Sequence, residues 1–183
     1  MPRIRPSRIR ILAGRLLETP EGEQRPVPIE RIVARQGIRL VRSPLEGDDD
    51  VSGFYRKDQG REVIGVNSLY APVRQRFTIA HELGHAVLHG REGLHLDQAF
   101  KLRFRNTTSS LAVDPEEMDA NSFAAELLMP AEEVIELVSE SGLDVNDDQA
   151  LRSLARHFGV SQQAMTFRVL NLGAELDGTA RFG

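Results

Sequence analysis

Hydrophobic residues along the chain recur with helical spacing in some stretches and with strand spacing in others. Apolar positions three and four residues apart predict helices at residues 29–36, 72–90, 115–129, 130–139, 148–158 and 162–172. Alternation predicts a strand at 38–41, and β-prone residues at 51–55 and 62–66 flank a turn sequence typical of a hairpin. The predicted class is therefore α+β, with a small antiparallel sheet or hairpin packed on a long helix and a helical C-terminal part.

Breaks in this pattern divide the chain into three predicted parts. Residues 1–27 begin with five arginines before the first acid and continue into a segment rich in Pro, Gly and charge, so they are predicted to form a basic tail and linker. Residues 28–140 hold the hairpin and the long helices, and residues 141–183 form a helical subdomain. Two polar stretches, 47–50 and 101–113, are predicted to be loops.

The composition narrows the classes of function. The chain has no cysteine, which excludes disulfides, thiolate nucleophiles and cysteine-ligated metal. A net charge of −4 and an aromatic content of 5% argue against a protein that coats nucleic acid or binds anionic membranes. Since no apolar run approaches the ~20 residues of a spanning helix, the expectation is a cytoplasmic protein without a membrane segment.

The strongest chemical signal is the run His81-Glu82-Leu83-Gly84-His85, an H-E-x-x-H motif on the long predicted helix. Side chains four residues apart lie on one helix face, so both imidazoles can reach one metal ion. Zinc suits such ligands, and Glu82 is placed to act as a general base toward a water molecule on the metal. The motif predicts metal-dependent peptide hydrolysis with one Zn²⁺ per chain.

A catalytic zinc needs a third protein ligand, which without cysteine must be His, Glu or Asp. His89 shares the four-residue spacing, but eight residues of helix rise about 12 Å, too far for ligands of one zinc. Its expected roles are instead a hydrogen bond to a ligand or closure of the helix end. A third histidine six residues after the second, as in metzincins, is also missing, because that position is Arg91. The pattern therefore favours a gluzincin-like site, in which a later helix supplies a glutamate.

The helix at 115–129 offers two main candidates for that glutamate. Glu117 shares a face with Asn121, which could brace a histidine ligand, although Glu117 could equally cap the helix behind Asp114. Glu126 lies in an apolar stretch, where a carboxylate needs a partner that a metal would provide. Spacing favours Glu117 only modestly. Tyr70, His89 and Asn121 are candidate donors to the substrate carbonyl oxygen.

Two long motifs resemble the ImmA/IrrE family of zinc metallopeptidases. They are residues 76–85 (RFTIAHELGH) and residues 117–130 (EMDANSFAAELLMP), and the stretches 52–54 and 66–67 also resemble that family's hairpin. The resemblance spans roughly residues 28–172. It implies a zincin-like peptidase domain at 28–140 in which the glutamate heading the E-x-x-A-N-x-F-A motif, here Glu117, is the third zinc ligand. It also implies site-specific cleavage of a helix-turn-helix transcriptional repressor, in bacterial stress or mobile-element regulation.

The C-terminal part predicts a second class of function. Residues 151–168 have the rhythm of a helix-turn-helix, with an apolar first helix, a glycine turn and a serine-capped second helix. Only three basic residues, Arg152, Arg156 and Arg168, accompany it, fewer than phosphate-driven binding normally needs. No DNA-binding residue is assigned. The alternative function is thus a zinc-dependent sensor, or a regulator that binds DNA or a partner protein and has little peptidase activity.

Overall fold

The structure is a computed structural model that describes residues 3–45, 51–90, 93–97, 114–142 and 147–180. The predicted loops at 47–50 and 101–113 lie outside the described residues. In chain order the elements are α1 (Pro6–Leu17), α2 (Ile29–Arg35), β1 (Arg39–Ser43), β2 (Gly53–Asp58), β3 (Arg61–Asn67), α3 (Pro72–Leu88), β4 (Gly93–Asp97), α4 (Pro115–Leu128), α5 (Ala131–Ser141), α6 (Asp148–Phe158) and α7 (Gln162–Ala180). The predicted α+β class is confirmed.

The four strands form one mixed sheet in the order β1-β3-β2-β4. The predicted hairpin is β2 and β3, joined through Gln59 and Gly60, whose positive φ values of 48° and 78° suit a tight two-residue turn. Strand β1 pairs with β3 in parallel, which the sequence did not predict. Strand β2 lies between β3 and β4, and β3 lies between β1 and β2, so neither strand of the hairpin is at an edge of the sheet. The edge beside β2 is β4.

Helix α3, which carries the H-E-x-x-H motif, lies between the sheet and α4. Tyr55, Ile64 and Val66 of the hairpin are buried in the same hydrophobic core as Ile79 and Leu83 of α3. On the α4 side, a Cβ atom added at Gly84 would lie 3.1 Å from Cα of Ala120. The two helices can approach this closely because both residues are small, and the approach brings α4 to the motif.

The N-terminal segment is not the tail that the sequence predicted, because residues 6–17 form α1. Ile9 and Ala13 of this helix are buried, and both belong to the core. Just before the helix, the backbone N–H of Ile4 donates to Oδ2 of Asp119 on α4 at 2.8 Å. The segment forms a helix because its apolar residues Ile9 and Ala13 are four residues apart and therefore share one helix face. The nearby arginines obscured this spacing in the sequence.

The C-terminal helices confirm the predicted helix–turn–helix rhythm. Helix α6 is capped by Asp147 and ends at Gly159, whose φ of 65° makes the turn into α7. Arg76 of α3 donates to the carbonyl of Gly159 in this turn at 3.1 Å. It also donates to the carbonyl of Val27, before α2, at 2.8 Å. Burial lowers the pKa of the Arg76 guanidinium. One hydrophobic core therefore contains residues from all three predicted parts. Within the described residues, no helix is long and apolar enough to cross a membrane.

Candidate metal centre

Three side chains from two helices converge on one point between α3 and α4. His81 and His85 lie one turn apart on α3, with their Nε2 atoms 3.1 Å from each other. Glu117, in the first turn of α4, places one carboxylate oxygen 3.4 Å from Nε2 of His81 and the other 3.2 Å from Nε2 of His85. All three residues are buried. The structure thus brings the two histidines and Glu117 together.

The spacing of these donors fits a metal ion. Donor atoms about 2.1 Å from a zinc ion at tetrahedral angles lie about 3.4 Å apart, close to the observed separations. Two imidazole nitrogens and a carboxylate facing each other in a buried space also require a cation or shared protons between them. The group His81, His85 and Glu117 could therefore hold a metal ion.

Asn121 fixes the orientation of the first histidine. Its side-chain oxygen, Oδ1, accepts a hydrogen bond from Nδ1 of His81 at 3.0 Å. Because an amide oxygen can only accept, Nδ1 carries the proton, and the lone pair of His81 is on Nε2, facing the other two donors. Asn121 is one helical turn after Glu117, so the same face of α4 supplies a donor and the residue that orients a neighbouring one.

Glu82 is fully buried beside the start of β2. A Cβ atom added at Gly53 would lie 3.4 Å from Oε1 of Glu82, and only 2.4 Å from Cγ2 of Thr78 and 2.8 Å from the carbonyl oxygen of Gly65. Only glycine fits at this position without a shift of its neighbours. The absence of a side chain at Gly53 therefore lets the sheet lie directly against the carboxylate. The sequence signal for such an approach is the position of Gly53 inside the predicted strand at 51–55.

The remaining predicted site residues lie outside the converging group. His89 ends α3, where its backbone N–H donates to the carbonyl of His85 at 3.0 Å, and its ring is 5.7 Å from the His85 ring. Tyr70 lies two residues before α3, with the guanidinium of Arg74 3.6 Å from its ring centroid. His89 is thus the residue that follows the last turn of α3.

Glu126, the other candidate ligand, is bound by arginines instead. Its Oε2 accepts from Nη2 of Arg168 on α7 at 2.5 Å, and its Oε1 lies 3.5 Å from Nε of Arg10 on α1. Oε1 also accepts from the backbone N–H of Ala131 at 3.1 Å. The sequence reasoning was right that this buried carboxylate needs a partner, but it missed Arg168, since pairing across 42 residues leaves no local signal.

The Peptidase M78 family model, described as IrrE N-terminal-like domain, matches residues 33–170. The chain is 37% identical over 128 residues to the radiation response metalloprotease IrrE of Deinococcus deserti, covering 68% of this chain and 40% of that protein. It is 36% identical over 81 residues to an uncharacterized immunity region protein 2 of Bacillus phage phi105, covering 44% of this chain and 46% of that protein. The chain spans less than half the length of both relatives.

A solved structure supports the fold. A Mycobacterium tuberculosis transcriptional regulator superposes with a TM-score of 0.54 at 20% sequence identity, covering 86% of this chain and 45% of that one. The family match includes the two histidines, Glu82, Glu117 and Asn121, as well as every described strand and helices α3 to α6. The chain therefore belongs to the Peptidase M78 family of IrrE N-terminal-like domains.

Proposed function

We propose that the chain is a zinc-dependent endopeptidase. The observation that carries this proposal is the convergence of His81, His85 and Glu117 within 4.8 Å of one another, with the buried carboxylate of Glu82 one residue after the first histidine. Two imidazoles and one carboxylate form a ligand set that zinc uses in hydrolases. Metal binding alone has no need of Glu82, whereas peptide hydrolysis needs a base next to the metal.

The chain's own residues account for the movement of protons. Zinc, when bound, supplies Lewis acidity at the scissile carbonyl. Glu82 takes a proton from the attacking water as the water oxygen bonds to the carbonyl carbon. It then returns that proton to the amine nitrogen as the C–N bond breaks. Asn121 holds the His81 ring through Nδ1, so that Nε2 faces the metal-binding group, and Tyr70 and His89 are the remaining candidate donors to the carbonyl oxygen.

The proposed substrate is a helix-turn-helix repressor that the chain cleaves in the cytoplasm. Two observations support a regulatory substrate: the Deinococcus deserti relative is named as a radiation response metalloprotease, and the phage phi105 relative as an immunity region protein. Cleavage of a repressor would release genes of a stress response or of a mobile element.

The contacts of the C-terminal helices argue against the DNA-binding alternative. Arg168 is buried in its ion pair with Glu126, so it is not available to a phosphate. Arg152 donates to Gln162 at 3.0 Å, and Arg156 donates to Ser153 at 3.0 Å. All three basic residues of the helix pair thus make contacts within the chain, and DNA binding would have to break them.

The Glu82→Gln variant tests the proposed function. With zinc-loaded protein, a helix-turn-helix repressor from the same locus and a quenched peptide library as substrates, we expect cleavage to fall about 100-fold to 10,000-fold. Zinc content should not change, because Glu82 is not among the converging donors. The matched control is Glu136→Gln on the exposed face of α5, which should cleave like the wild type.

Three results would count against this proposal. Full cleavage by the Glu82→Gln variant would exclude Glu82 as the base. If the wild type shows no zinc-dependent cleavage but still alters the function of the repressor, the sensor alternative would be supported. A salt-dependent shift of operator DNA by the protein alone would support direct DNA binding.

A further inference from the structure

A large cleft begins at the candidate metal centre and runs between four helices. Its volume is about 910 Å³, and its lining includes His81 and Glu117 together with residues of α1 and α7. Ligand sites in proteins typically measure roughly 300–1,000 Å³. The cleft is therefore large enough for several residues of a peptide next to the metal-binding group.

Most of the surface that lines the cleft is apolar, although twelve of its 22 lining residues are polar or charged. Most of its apolar residues come from four helices: Pro6 and Ile9 from α1, Val73 and Phe77 from α3, Met118 and Ala125 from α4, and Ala164 and Phe167 from α7. Phe77 is one helical turn before His81, and Met118 is next to Glu117. The apolar wall therefore starts directly beside the metal-binding residues.

The charges along the cleft are engaged within the chain. Four arginines line it, and each has an internal partner: Arg3 with Asp119, Arg10 with Glu126, Arg168 with Glu126, and Arg74 with Ser52 and the Tyr70 ring. The two lining glutamates are Glu126, held by its arginines, and Glu117 of the metal-binding group. The pairing of these charges leaves the apolar surface and five neutral polar residues of the cleft to contact an occupant.

Phe167 is the aromatic side chain that α7 contributes to this surface. It lines the cleft although 44% of it is exposed, so it presents apolar area to any occupant. Leu170, three residues later on the same helix, is 50% exposed and does not line the cleft. The two residues thus share a helix and a degree of exposure but differ in access to the cleft.

We propose that this cleft binds a bulky apolar side chain of the peptide substrate adjacent to the scissile bond, and that Phe167 is a specificity-determining residue. This inference rests on the proposed peptidase function, since it assigns the cleft to the same metal site. An apolar side chain transferred from water to this surface gains affinity in proportion to the area that it buries. Small or charged side chains would gain less there.

The test uses two peptide hydroxamates that differ only in the group next to the zinc-binding moiety, either isobutyl or hydrogen. Their dissociation constants for zinc-loaded protein are measured by calorimetry, which requires no cleavage. We expect the isobutyl compound to bind about 10-fold to 100-fold more tightly. The Phe167→Ala variant should reduce that ratio at least about threefold, whereas Leu170→Ala should keep it.

Equal binding of the two compounds by the wild type would overturn the proposal, and so would equal ratios in Phe167→Ala and Leu170→Ala. If Phe167→Ala does not fold, Ala164→Leu serves instead, because it narrows the cleft from α7 and should lower the same ratio. An unchanged ratio in that variant would also overturn the proposal. Cleavage that depends on Glu82 together with no hydroxamate preference would refute the cleft inference alone, leaving the peptidase proposal intact.

Discussion

The two buried glutamates of α4 have opposite partners. Glu117 and Glu126 are both 7% exposed and lie nine residues apart on one helix. Glu117 faces the imidazoles of two histidines on α3, side chains that can be neutral. Glu126 instead faces two arginines, Arg168 of α7 and Arg10 of α1. Glu126 is thus paired with arginines, whereas Glu117 lies against two imidazole nitrogens. The difference teaches that burial of a carboxylate alone does not predict a metal site, because the side chains that face the carboxylate decide what it can bind.

The largest expected effect on stability comes from removing the ion pairs of Glu126 with its arginines. The Glu126→Ala variant leaves Arg168 buried without its carboxylate, and we expect the free energy of unfolding to fall by about 3–5 kcal/mol. Chemical denaturation of the zinc-loaded protein measures this change. The matched control is Arg152→Ala, which removes an exposed pair with Asp148 and should cost less than about 1 kcal/mol. A loss at Glu126 no larger than that of the control would mean that its ion pairs contribute little.

A smaller effect, on zinc affinity, is expected from removing Asn121, which supports the metal-binding group that contains Glu117. The Asn121→Ala variant removes the acceptor that holds Nδ1 of His81, and zinc affinity should fall about 10-fold to 100-fold. Competition with a chromophoric chelator measures the affinity. Ser122→Ala is the neighbouring control, because the Ser122 hydroxyl donates to the carbonyl of Met118 within α4. Equal zinc affinities of the two variants would mean that Asn121 does not support the metal-binding group.

Local sequence patterns predicted the elements that bear the site. The hairpin followed from its turn chemistry, and α3 and α4 followed from apolar spacing and, for α4, from Asp114, whose side chain accepts from the backbone N–H of Glu116. The motif on α3 needed only helical periodicity to bring two imidazoles together. Three of the four proposed metal-site residues, counting Glu82, therefore come from one short local pattern.

Features that depend on distant contacts could not be predicted in the same way. The parallel pairing of β1 with β3 and the position of β4 at the edge depend on partners outside their own sequence neighbourhood. Helix α1 was missed because its arginines outnumber its few buried positions, although Ile9 and Ala13 show the helical spacing. The choice between Glu117 and Glu126 likewise needed the position of α7, which is set by the whole core.

Zinc stoichiometry of two glutamine variants tests most directly whether Glu117 completes the metal site. Glu117→Gln and Glu126→Gln remove one carboxylate each from the same helix at equal burial, and zinc per chain is measured by native mass spectrometry after dialysis. The account predicts about one zinc per chain for the wild type and Glu126→Gln, and nearly none for Glu117→Gln. Retention of zinc by Glu117→Gln together with its loss from Glu126→Gln would contradict the account.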